Sequence, residues 1–206
     1  MERMTANKIR MSYGTAKRIR TITAPHFMAF VLTTILYIGM GREAFITPVH
    51  YLDSLFTLCL LPLLGYVICR AVPSLKSKGR HLERVLAIAF SLLGYLLGVA
   101  FALIGGGTKT ELTLYFTYLI SGLLTAICSF VFKFKASGHA CGVSGPAAML
   151  SMYMGPVYAL SFAVLVPVYI SSLKLERHTL SQLIAGTIIP VIALIAASFI
   201  SGAIVG

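Results

Sequence analysis

Residues 140–173 read ACGVSGPAAMLSMYMGPVYALSFAVLVPVYISSL, 34 residues without an Asp, Glu, Lys or Arg. A helix needs about 20 mostly apolar residues to cross roughly 30 Å of hydrocarbon, so this stretch can cross a bilayer and fold back. Gly155-Pro156 divides it, because proline lacks an amide donor and disfavours helical backbone before it. Outward from it, further uncharged runs cover 24–41, 54–69, 85–108, 112–132 and 179–206.

Composition agrees. Of 206 residues, 58% are hydrophobic and 11% charged, and the mean hydropathy is +0.90. These values exclude an ordinary soluble domain. The expected fold is an all-α, polytopic transmembrane bundle of six to seven helices. It forms one integral membrane domain over 1–206, with 1–23 as a basic N-terminal segment. Seven helical segments are expected, at about 25–41, 53–73, 85–106, 112–133, 140–154, 156–173 and 179–204. The fifth is short and rich in small residues (Cys141, Gly142, Ser144, Gly145, Ala147, Ala148), which suits close packing inside the bundle. Gly94 and Gly98 allow another close crossing.

The first apolar run follows basic residues, as in a signal peptide. Gly41-Arg42-Glu43 then follows with no small-x-small cleavage pattern, so the run reads as a retained helix. Cys59, Cys69, Cys128 and Cys141 lack metal-type spacing and read as small buried hydrophobes. The net charge of +11 fits loops that set orientation and meet anionic headgroups, and no nucleic-acid motif is visible.

Alternate threading puts the N-terminus and the loops 70–84, 133–139 and 173–178 on one face. Of the 17 Lys and Arg, only Arg42 and Lys109 then fall on the other. The positive-inside rule makes the basic face cytoplasmic. Two histidines, His139 and His178, emerge on that face beside basic residues. His26, His50 and His81 read as structural or interfacial. Glu176 reads as a solvated carboxylate, and Tyr153, Tyr158 and Tyr169 as packing residues.

Neutral imidazole can attack phosphorus directly, and a second, protonated imidazole can supply the leaving group's proton. A third group must fix the nucleophile's tautomer. Gln182, four residues after His178 at a helix start, shares its face and can accept from the ring. Ser137 and the amides around Gly138 open a helix, where an anion is favoured.

At these residues the sequence resembles the type 2 phosphatidic acid phosphatase superfamily of integral membrane lipid phosphatases, in a divergent prokaryotic branch. Ala136-Ser137-Gly138-His139 matches three of the four positions of its P-S-G-H motif. Ser171, His178 and Gly186 match its third motif in spacing, with Ser172 in place of Arg and Gln182 in place of Asp. The first motif is not found. Lys76 to Arg84 has similar content at a different spacing. The resemblance implies a lipid or polyprenyl (di)phosphate substrate and a phosphohistidine intermediate, with neither metal nor cofactor. His178 would be the nucleophile and His139 the acid, with Gln182 as the orienting group. Lys135, Ser137, Gly138, Lys174, Arg80 and Arg84 would hold the phosphate, and Lys174 or Arg177 would make up for the arginine missing at 172. The departures leave two alternatives open: a weakened or inactive member that binds or moves lipid phosphates, and a lipid phosphotransferase. A generic transporter fits poorly, since the helices show few polar residues beyond Ser and Thr.

Overall fold

The computed structural model describes residues 10–77 and 79–206, with Lys76, Arg80 and His81 described by backbone alone. The readings placed above on residues 1–9 and on the Lys76, Arg80 and His81 side chains lie outside the described residues.

Every described element is helical. We number them α1 (Tyr13–Ile22), α2 (Pro25–Met40), α3 (Pro48–Ala71), α4 (Pro73–Lys76), α5 (Gly79–Ile104), α6 (Lys109–Phe130), α7 (Gly138–Tyr153), α8 (Pro156–Lys174) and α9 (Leu180–Val205). Five of these (α3, the Leu82–Ile104 part of α5, α6, α8 and α9) are long and apolar enough to span a membrane. A sixth span arises if α1 and α2, bent by 46° at their junction, count as one. The chain is an integral membrane protein built as an α-helical bundle.

Each expected segment corresponds to one helix, displaced by a few residues. The short fifth segment is α7, whose residues from Gly142 to Leu150 are all buried. It is too short to count as a span by length, and small side chains let it sit at the centre. A Cβ on Gly142 would press on Pro25 of α2. The Gly94/Gly98 crossing is present: Gly94 lies against the Thr57 carbonyl of α3, and Gly98 against the Tyr115 ring of α6. That carbonyl belongs to a π-turn over Phe56–Leu60. Pro62, one turn on, has no N–H for the Leu58 carbonyl, which loosens the helix there.

At one end of the bundle, a buried hydrogen-bonded pair ties α3 to α6. His50 Nδ1 lies 2.8 and 2.9 Å from the two carboxylate oxygens of Glu111. Tyr115 donates to Asp53 at 2.7 Å beside it. His50 is thus structural, and no local signal in the sequence marks the Glu111–His50 and Asp53–Tyr115 pairs. Tyr153 and Tyr158 pack on the core, and Tyr169 meets Thr187 at 2.7 Å. All four cysteines are free.

Candidate functional site

The opposite end of the bundle holds the two histidine-bearing segments, and they are joined backbone to backbone. The Ser137 amide donates to the Gln182 carbonyl at 2.9 Å. Gly186, one turn further along α9, lies directly against the backbone of Ser137, where any side chain would collide with its carbonyl. Glycine at 186 is therefore required by close approach of two chain segments.

Ser137 is the N-cap of α7, accepting from the Ala140 amide at 3.3 Å, and it is fully buried. Its hydroxyl is committed to the helix. The expectation that Ser137 holds phosphate is thus replaced by a positioning role: it aims Gly138 and His139. Thr179 caps α9 in a capping box with Gln182.

The capping box also sets the imidazole of His178. Gln182 Oε1 accepts from the Thr179 amide at 3.3 Å and lies 3.1 Å from His178 Nδ1. Since that oxygen is an acceptor, the ring nitrogen facing it is the N–H. Gln182 therefore holds the His178 ring by this contact and is not among the described residues that line the cavity. The Lys135 backbone also lies beside the ring. Burial, followed by the charges of Lys135 and Arg20, outweighs these contacts and brings the His178 pKa down to about 4. The imidazole is neutral at physiological pH.

His139 meets a residue the sequence reading passed over. Arg20, on α1, donates through Nη2 to His139 Nδ1 at 3.2 Å, and its carbonyl accepts from His139 Nε2 at 3.0 Å. The same guanidinium donates through Nη1 to Ser172 Oγ at 2.7 Å. Ser172 thus has a guanidinium beside it, delivered from α1. The expected substitutes differ: Arg177 lines the cavity, and Lys174 is not among the described residues that do. Burial and the charge of Arg20 lower the His139 pKa to about 4. His139 is neutral here, with both ring nitrogens engaged by Arg20.

These groups surround a cavity of about 740 Å³. Its cations are Lys17, Arg20, Arg70, Arg84, Lys135 and Arg177, and His26, His139 and His178 also line it, with no Asp or Glu among the described lining residues. Arg84 donates to Ser129 at 2.8 Å, and Arg70 is paired with Glu83 at 2.9 Å. Gly138, Lys135 and Arg84 are among the lining residues. His26, expected to be structural or interfacial, is a further lining residue. Below the cations the wall turns apolar, with Leu58, Pro62, Ile88, Leu92, Pro146 and Pro190.

Local backbone explains how the C-terminal end of α8 feeds this site. Glu176 takes φ +50° and is exposed. The Arg177 amide then bonds back to the Ser172 carbonyl at 3.0 Å. This reversal brings Arg177 and His178 to the cavity. It is a C-terminal helix stop made without glycine.

The fold and site define an integral membrane protein with a cation-rimmed, apolar-floored cavity holding two neutral imidazoles. Comparison with protein-family models, curated proteins and solved structures gives no match.

Proposed function

We propose that the chain is a metal-independent lipid phosphatase, acting on a lipid or polyprenyl (di)phosphate through a phosphohistidine at His178. The observation that carries this reading is the single cavity shared by His139, His178 and six cations, with apolar walls beneath. A phosphate at the cations would face the His178 imidazole, whose neutral state and fixed N–H suit it as a nucleophile. Arg20, Lys135 and Arg177 would bind the equatorial oxygens and balance the charge that develops on them. The dianion would also compete for Arg20 and favour the imidazolium of His139, restoring a proton for the leaving oxygen. Apolar tails would follow the lower wall. On this reading the basic end faces the cytoplasm of a prokaryotic plasma membrane. Lipid phosphotransfer to an alcohol would use the same residues.

The test is phosphate release by purified protein from mixed glycerolipid and polyprenyl phosphates, with EDTA present. Release that persists in EDTA and is abolished in both His178→Ala and His139→Ala is the expected outcome. One observation favours a second reading, a binding protein derived from an enzyme: Arg20 engages both ring nitrogens of His139. Binding of these lipids without release from any of them would support that reading.

A further inference from the structure

The helices around the cavity pack in turn: the Leu61–Ala71 half of α3 on α5, α5 on α6, α6 on α7, and α7 on α2. One junction of this ring stays open. α2 packs on residues 48–60 of α3, and among the described residues no comparable packing joins it to Leu61–Ala71.

The contact stops partway along one face of α2. Thr34 meets the Tyr51 hydroxyl of α3 at 3.0 Å, and Tyr37 stacks on the same ring, centroids 4.3 Å apart. Phe30 and Phe27 continue that face, four and seven residues before Thr34. They are 44% and 47% exposed. Across the gap, Tyr66 lines the cavity and is still 37% exposed, with the exposed Val67 beside it.

Local sequence accounts for the parting. The π-turn over Phe56–Leu60 and the following Pro62 re-aim α3 where the contact ends. Gly65 then seats the second half on α5, since a Cβ there would strike the Leu86 backbone. Gly142 seats the start of α2 on α7 through Pro25. The two edges of the gap are thus held by opposite neighbours.

We propose that this seam is a lateral portal, confined to the half of the bilayer at the basic end, through which the hydrocarbon of a lipid phosphate enters the cavity from that leaflet alone. Its apolar edges suit hydrocarbon, and the cations of the cavity suit the phosphate. Tyr37, Phe45 and Tyr51 pack ring on ring and close the other half. Lipid of the far leaflet therefore has no route in, and the chain does not carry lipid across. The inference rests on the lipid-phosphate reading of the cavity but not on hydrolysis.

The test uses full-length protein in sealed liposomes and a radiolabelled lipid phosphate with a photoreactive group midway along its tail. Inorganic phosphate, which reaches the cations from water, is the competitor. Label that excess phosphate removes is expected on the peptides carrying Phe27 and Phe30 and on those carrying Tyr66 and Val67. With the probe in one leaflet, only molecules whose basic end faces that leaflet should be labelled. Their orientation is read from a C-terminal tag at the opposite end, where Gly202 lies beside Lys109. Val67→Trp should slow lipid capture and Phe30→Ala should hasten it, while inorganic phosphate raises the melting temperature of both as it does in wild type. Both side chains are exposed, so the fold is expected to hold. Absence of competed label from these peptides, equal labelling from both leaflets, or capture rates unmoved by both variants would overturn the portal. The hydrolytic proposal is read separately: leaflet-restricted capture without phosphate release leaves the portal standing and removes the phosphatase.

Discussion

At the scale of single residues, the protonation of two histidines governs what the site can do. Both His139 and His178 have pKa values near 4 in the folded protein, chiefly because they are buried among cations. In the unfolded chain a histidine titrates near 6.5. As pH falls below 6.5 the unfolded state takes up protons first, so stability present above 6.5 is progressively lost toward pH 4. The melting temperature in detergent should therefore drop between pH 7.5 and 5. His139→Gln, with one fewer titrating ring, should show a smaller drop, and an unchanged pH dependence would contradict the described burial. His139 and His178 were legible as a pair because each stands among motif neighbours. Arg20 was not. In the sequence it is one arginine in a basic N-terminal stretch, and nothing local signals that it meets His139 and Ser172, well over 100 positions away.

At the scale of elements, the account turns on two couplings, α1 to the site and α7 to α9. Ala16, fully buried, seats α1, which packs against α8. Arg20→Ala should reduce lipid-phosphate binding or turnover by about 10-fold or more, the order expected for a charge-assisted pair. Arg20→Lys should rescue little, because one ammonium cannot reproduce a planar fork reaching both Ser172 and His139. Full activity in either variant would remove Arg20 from the site. For the second coupling, Gly186→Ala would force the Ser137 backbone away from α9 and cost about 1–3 kcal/mol of overpacking. A lowered melting temperature together with a lost phosphate site is expected, read by thermal unfolding and ligand binding on the same preparation. Helix positions themselves were legible, since charge-free runs and Gly155-Pro156 mark their ends. Hidden from the sequence were the π-turn of α3, which depends on how a prolyl helix packs against Gly94, and the capping role of Ser137. A Ser before Gly-His reads equally well as a cap or an anion ligand until burial decides.

At the scale of the whole molecule, the bundle separates two kinds of polarity. One end buries a paired His50–Glu111 couple that locks α3 to α6. The other gathers cations with no acidic lining residue among those described, around a cavity with apolar walls. Such an accumulation of like charge is unfavourable without a counterion, so an anion that brings its own hydrocarbon satisfies both halves at once. Composition and charge distribution foretold the membrane bundle and the basic end, because those depend on sums over many residues. The shape of the cavity depends on small residues in α7 and on one distant arginine, which no sum reveals. The central claim is that His178 carries the phosphoryl group. Its direct measurement is rapid quenching of the protein during turnover of a radiolabelled lipid phosphate, followed by peptide mapping. Acid-labile, base-stable label on the peptide containing His178, absent in His178→Ala, is predicted. Phosphate release without such label, or label on another residue, would contradict it.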